Sequence, residues 1–402
     1  MHKFKLFTGA VFMLLLLTQC HVGRFFYWNF ADINDHKKFP ARQINKSTAP
    51  FHFKQAIAPS LFKIPSAINY KGDDIDFNSF LKKTETLGFL IIKNDSIVYE
   101  YYAPQKDDQM IVPSFSVAKS VVSILLGIAI DEGYVKSVKE PITNYLTDLD
   151  REKFGKITIE DVLNMRSGID FNESYFNPLG DVAKYYYGTN LKKYIAKQGI
   201  KKEPDSAFQY ISLNTQLLGF IVERATGKKL DEYLQQKLWQ PMGMEYDASW
   251  SIDSKRNGNI KAFCCLNARM RDFAKFGRLY LNKGNWNGQQ LVSTTWVEQS
   301  IKPEPKNNFI YSYQWWHTRT YTNQADTLSN GFMYKPINYN KKADDRKPLN
   351  EAIYPNMDFY AEGILGQYVY VFPEKNIIIV RLGKNYNFQS WPRLFHAIAK
   401  AN

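Results

Sequence analysis

Cysteine is scarce in this chain: 402 residues carry three, and two of these are neighbours, Cys264 and Cys265. Adjacent cysteines seldom reach disulfide geometry with each other, so no disulfide framework is expected and the pair reads as buried packing. Stability then rests on the core alone, which a chain of this length can supply. No histidine lies near the pair in sequence, which argues against a thiol nucleophile. Histidine is also sparse. The six present (His2, His21, His36, His52, His317, His396) form no close pair at metal-ligand spacing, so no zinc centre is expected. No phosphate loop or dinucleotide fingerprint occurs either, and no cofactor is called for. Long apolar runs are missing beyond Leu6–Leu17, which falls short of the about 20 residues a membrane span needs.

Charge of one sign is abundant without being concentrated. The formal net charge is +13, yet the basic tracts are short pairs such as Lys192-Lys193, Lys201-Lys202 and Lys341-Lys342 among acidic residues. Nucleic-acid binders gather Lys and Arg on one face or tract, so a solvated basic surface is expected and no nucleic-acid partner. Apolar residues at 45% and charged ones at 23% are the balance of a folded globular protein. Aromatics at 15% lean toward a site that grips an organic ligand.

The first twenty residues read as an export signal. Met1-His2-Lys3-Phe4-Lys5 is a basic start, Leu6–Leu17 the apolar stretch, and Leu17-Thr18-Gln19-Cys20 resembles the bacterial lipoprotein box. Gln19 departs from the small residue usual in that box, and an uncleaved anchor or ordinary cleavage are the alternatives. The expectation is export to a bacterial periplasm or outer membrane, with membrane contact only through a lipid on Cys20. Residues 21–70, rich in proline and basic residues, read as a tether and an arm over the domain surface.

From residue 71 onward one domain is expected. Gly88–Lys93 and Ser96–Tyr102 flank Asn94-Asp95, a hairpin signal. Ser116–Glu132 reads as a helix apolar on all sides, hence buried. Helical patterns dominate about 135–290, including 158–166, 214–226 and 268–282. A second hairpin, Gln367–Phe372 and Asn376–Leu382, precedes a final helix at about 390–400. Strands at both ends with helices between predict an α/β (α+β) fold: one antiparallel sheet built from the two ends, flanked by helices, with an inserted helical lobe.

The sharpest chemical feature is Pro113-Ser114-Phe115-Ser116-Val117-Ala118-Lys119. Positions three apart share a helix face, so Ser116 and Lys119 present their tips together in the first turn. Burial and the positive helix end both lower a lysine pKa there. A neutral amine beside a hydroxyl can take its proton and make it a nucleophile.

At these residues the chain resembles the serine β-lactamase and penicillin-binding protein superfamily, whose signature opens with S-x-x-K at a central helix. It is most similar to the branch of class C β-lactamase-like esterases and 6-aminohexanoate-dimer hydrolases. The resemblance runs through Ser114–Ser120, Ile157–Gly168, Phe208–Gly219 and Arg271–Gly277, and covers about Asp76 to the C-terminus. It implies a serine hydrolase acting on a small-molecule or peptide-like ester or amide through an acyl-enzyme at Ser116. Lys119 would be the proton acceptor and Tyr210, from Tyr210-Ile211-Ser212, would protonate the leaving group, with Ser212 as a hydrogen-bonding neighbour. The K-T-G or H-x-G motif usual in the superfamily is absent. Phe359-Tyr360-Ala361-Glu362-Gly363-Ile364-Leu365-Gly366 stands in its place. The oxyanion hole would then combine the Ser116 N–H with one from this strand, Ala361 and Ile364 being candidates beside Gly363. Loss of the cation there favours an ester or amide substrate over a penicillin or D-Ala-D-Ala carboxylate. A D-Ala-D-Ala peptidase or β-lactamase, and an inactive envelope binding protein, are the competing readings. The oligomeric state is left open. Glu160-Asp161-Val162-Leu163-Asn164 mimics a deacylating E-x-x-L-N loop but reads as helix capping. Trp315-Trp316 and Tyr185-Tyr186-Tyr187 are candidate cleft walls.

Overall fold

A computed structural model describes residues 21–28, 30–321, 328–329, 333–334, 353–388 and 391–402. Residues 1–20, where an export signal ending at Cys20 is expected, lie outside the described residues.

Eight strands make the central sheet: Lys54–Gln55 (β1), Thr86–Lys93 (β2), Ser96–Tyr102 (β3), Tyr311–Ser312 (β4), Trp315–Tyr321 (β5), Ile353–Gly363 (β6), Gln367–Phe372 (β7) and Ile377–Gly383 (β8). Their order is β4-β5-β6-β7-β8-β2-β3-β1. The two hairpins expected from the sequence therefore lie side by side, with β8 antiparallel to β2 through Ile378–Ile92 and Val380–Leu90. Only β1, parallel to β3, breaks the antiparallel pattern. Asn94 and Asp95 both take positive φ, 49° and 60°. That is the turn whose twist suits a two-residue hairpin.

The main helices are His21–Trp28 (α1), Phe77–Lys83 (α2), Val117–Asp131 (α3), Ile159–Leu163 (α4), Asp181–Tyr187 (α5), Ser212–Thr226 (α6), Met270–Leu281 (α7) and Trp391–Lys400 (α8). Helices α2 and α8 cover the outer face of the sheet, burying Phe89, Ile91, Tyr370, Ile377 and Ile379. The alternate residues Leu90, Ile92, Val369, Val371, Ile378 and Val380 face the other way, into the larger core shared with α3 and α7. Both faces being covered explains why Ile377-Ile378-Ile379-Val380 is unbroken apolar sequence. Each such side chain contributes roughly 1.5–3 kcal/mol on burial. In α3 every residue from Val117 to Ala129 is buried, as an all-round apolar helix requires.

Residues 21–70 hold more structure than their composition announced. Helix α1 docks on α5, with Phe25 buried and edge-on to Tyr187 at 5.3 Å. Strand Ala41–Ile44 pairs with Ala248–Ser251, which pairs with Leu266–Ala268 and so with Val112–Pro113. This small second sheet ties the arm to the segment that enters α3.

The cysteine expectation is corrected. Cys264 and Cys265 are bonded to each other. The left-handed backbone at Cys265, φ 71°, turns that side chain back onto its neighbour. Burial holds, at 4% and 2% exposure.

Candidate active site

The chain reaches α3 through a strained turn. Phe115, buried and bulky, sits at φ 44°, a conformation rare for such a residue and held by its surroundings. Ser114 supplies the hold: its N–H donates to the Leu266 carbonyl at 2.7 Å, and its hydroxyl accepts from the Leu266 N–H at 3.1 Å. Gly363, at the end of β6, presses on the same turn. A Cβ there would lie 2.4 Å from the Ser114 carbonyl oxygen, so only glycine permits this approach. Sheet, arm and helix thus converge on Ser116.

Lys119, one turn into α3, is 1% exposed. Its Nζ donates to Ser116 Oγ at 2.9 Å, to the Phe263 carbonyl at 2.9 Å and to Ser212 Oγ at 3.2 Å. It also lies 5.1 Å from the centre of the Tyr210 ring. Burial lowers its pKa to about 8, with the Glu173 carboxylate pulling the other way. The Tyr210 side chain faces Ser116 closely enough for the serine to influence its titration, and burial pushes its pKa well above the usual phenol value. Its ring is braced by Trp316 at 5.3 Å and Tyr311 at 5.8 Å.

Glu173 was not legible in the sequence. It accepts from Ser212 Oγ at 2.5 Å and from the Ser212 N–H at 2.7 Å. The consequence is directional. The Ser212 hydroxyl proton points to Glu173, so Ser212 can only accept from Lys119, and the Phe263 carbonyl can only accept. Of the three partners, Ser116 alone can donate. When Lys119 is neutral, its lone pair therefore faces the Ser116 hydroxyl.

A cavity of about 200 Å³ opens over Ser116. Phe115, Tyr186, Tyr187, Phe263, Ile364 and Leu365 are among its walls, and among the described residues no Lys, Arg or His lines it. Of the expected strand residues, Ile364 lines the cavity and Gly363 abuts the Ser114–Phe115 turn, whereas Ala361 is buried within β6 opposite Val369. The turn beyond Gly363 is fixed by Arg381, fully buried, which donates to the carbonyls of Gly366 and Thr84 and to Thr86 Oγ1. Trp316 braces Tyr210, while Trp315 is core, 4.5 Å from Tyr280. The E-x-x-L-N mimic is a capping box: Thr158 and Asp161 bond each other's backbone. Glu160 bonds Lys139 and the Tyr313 hydroxyl.

Comparison with known proteins places the fold and the family. A 6-aminohexanoate-dimer hydrolase from Paenarthrobacter ureafaciens is 29% identical over 269 residues, 60% of this chain and 67% of its own. An N-acetylmuramyl-L-alanine amidase from Bacillus subtilis (strain 168) is 32% identical over 94 residues, 23% of this chain and 21% of its own. A Bacillus anthracis structure named for 6-aminohexanoate-dimer hydrolase superposes with a TM-score of 0.72 at 20% identity, covering 93% of each chain. The family described as Beta-lactamase matches residues 77–402, close to the span the motifs indicated. This chain therefore belongs to the β-lactamase family and is a hydrolase of that fold.

Proposed function

We propose that the chain is a serine amidase or esterase working through an acyl-enzyme at Ser116. One observation carries the reading: Lys119, wholly buried and with its pKa lowered to about 8, sits 2.9 Å from Ser116 Oγ with its other partners fixed as acceptors. In the acylation step neutral Lys119 takes the Ser116 proton as Oγ attacks the carbonyl carbon. Tyr210 stays a phenol at neutral pH, so it can pass a proton to the departing amine or alkoxide and be restored through Lys119. The carbonyl oxygen is stabilised by the Ser116 N–H and a backbone N–H from residues 361–364. Water then releases the acyl group by the reverse sequence.

The relatives support an amide-cleaving chemistry, two of them being named for amide substrates. Among the described residues the cavity wall offers no cation to pair with the carboxylate of a penicillin, which weighs toward a neutral ester or amide group at this wall. Export and lipidation at Cys20 remain part of this proposal on the leader sequence. The test is labelling with a serine-directed fluorophosphonate, followed by a panel of p-nitrophenyl esters, linear amides and nitrocefin. Covalent labelling lost in Ser116→Ala is expected, with esters or amides turned over faster than nitrocefin. Labelling that survives Ser116→Ala overturns the assignment.

A further inference from the structure

The mouth of the Ser116 cavity is ringed by aromatic side chains left in solvent. Phe30 is 47% exposed, Phe176 79%, Tyr175 37% and Tyr386 42%, and all four line the cavity. Rings of this size rarely stand in water without a partner, and a contiguous group marks an interaction surface. The group extends onto α1, where Phe26 is 70% and Tyr27 74% exposed. Ring contacts make it continuous: Phe26 meets Phe25 at 5.6 Å, Phe25 meets Phe30 at 5.5 Å, and Phe30 meets Phe176 at 5.4 Å. Beside it, Arg24, Lys37 and Lys255 line a shallow cleft with Trp28 and the buried Asp253, together with Lys38, whose ammonium is paired with Asp35 at 2.7 Å. Aromatic rings bordered by cations are the composition of a face that rests in a lipid headgroup region.

The chain's own course selects the same occupant. The described part of helix α1 runs from His21, the residue after Cys20 and four after the end of the apolar stretch Leu6–Leu17. A lipid on Cys20 would lie one residue, about 3.8 Å of chain, from His21. Tyr27 follows within about 9 Å along the helix axis. Any leader retained on the chain holds α1, and with it the cavity mouth, at the bilayer surface.

We propose that this face seats the enzyme on an anionic lipid bilayer, and that the Ser116 cavity opens into the membrane interface to receive the apolar acyl group of a membrane-borne amphiphile. The seating rests on the export reading of the leader, and the acyl substrate rests on the serine-hydrolase reading above. Seated in this way, the aromatic rim displaces water between bilayer and cavity, so an acyl chain passes from lipid to Phe115, Phe176 and Phe263 without crossing solvent.

The test uses the full chain, leader included, reconstituted into phosphatidylglycerol-rich vesicles. A bimane fluorophore on Phe176→Cys, read against the identically treated unsubstituted chain, should be quenched by brominated lipid and shielded from aqueous iodide. Quenching by iodide with none by brominated lipid overturns the seating, whether or not any ester is hydrolysed. In a second arm, Phe26→Ser/Tyr27→Ser should hydrolyse water-soluble p-nitrophenyl acetate at the parent rate. Its hydrolysis of p-nitrophenyl palmitate held in the same vesicles should fall at least tenfold. An equal change in both rates, or none in either, overturns the delivery role. Failure of the parent chain to hydrolyse either ester, together with no fluorophosphonate label at Ser116, sinks the serine-hydrolase reading instead, and leaves the quenching arm to decide the seating.

Discussion

Two lysines of this protein share one physical condition and differ in what they face. Lys119 and Lys261 are both buried, at 1% and 0% exposure, and burial lowers their pKa values to about 8 and about 7. Lys261 lies 3.3 Å from the centre of the Phe39 ring and donates to the Tyr186 carbonyl at 2.6 Å. Neither partner has a proton to give, so this amine clasps the N-terminal arm to α5 and is silent chemically. Lys119 faces a hydroxyl. A depressed lysine pKa therefore identifies desolvation and no more; the donor beside it decides whether the group is a base.

The largest effects should come from breaking that pairing. Ser116→Ala should lower kcat by about 10⁴-fold or more, and Lys119→Met by about 10²–10⁴-fold, both measured on the best ester or amide of the panel. In the proposed mechanism neutral Lys119 is the active form, so kcat/KM of the parent should rise with pH and level off above about 8. Residual activity in Lys119→Met should lose that limb. A limb that persists there would assign it to Lys261 or another group and undo the comparison.

Geometry at the strand should come next. Gly363→Ala places a methyl against the Ser114 carbonyl, so β6 must retreat from the turn that carries Ser116. A misplacement approaching 1 Å costs on the order of 10²-fold in rate. The loss should fall in kcat, with the pH limb unchanged. Unaltered kcat would show that the strand supplies no oxyanion donor.

Legibility follows from how local each signal is. Ser116 and Lys119 stand one helical turn apart, and Asn94-Asp95 contains its whole turn, so both were readable. Trp315 and Trp316 were offered together as cleft wall, although adjacent strand residues must face opposite sides; period-two reasoning would have separated them. Glu173 could not be found in this way. It lies 39 residues from Ser212 in a segment with no periodicity, and its role exists only once the lobe has folded over α3. The same holds for Phe30, which reaches the cavity from the arm, and for Cys264-Cys265, whose bond depends on a left-handed residue that sequence does not announce.

Glu173 sharpens the comparison further, because it distinguishes the environment of Lys119 from that of Lys261. Glu173→Gln removes the charge that holds the Lys119 pKa up while keeping an oxygen for the Ser212 hydroxyl. The pH limb should move to lower pH with kcat on its plateau changed only a few-fold. Glu173→Ala should move the limb likewise and also lower plateau kcat by about tenfold, since Ser212 is then free to donate to Lys119 and compete with Ser116. A limb fixed in both variants would reduce Glu173 to a structural residue.

The smallest catalytic effect belongs to Lys261, and it is where the two lysines part most cleanly. Lys261→Met should leave kcat/KM and its pH limb within about twofold of the parent, since no reacting atom contacts this amine. Its effect should appear in stability instead. In the folded protein Lys261 gives up its proton near pH 7, and in the unfolded chain near the ordinary lysine value of 10.5. Between those limits the unfolded state binds the extra proton, so the parent gains stability as pH rises through this window. Below pH 7 the charged lysine must stay buried, held by the Phe39 and Tyr186 rings, the Tyr186 carbonyl and the fields of Asp253 and Asp35. Chemical denaturation at several pH values between 7 and 10 should therefore show a smaller rise for Lys261→Met than for the parent. An equal rise in both proteins would mean that Lys261 keeps its proton on folding, and that burial has not acted alike on the two lysines.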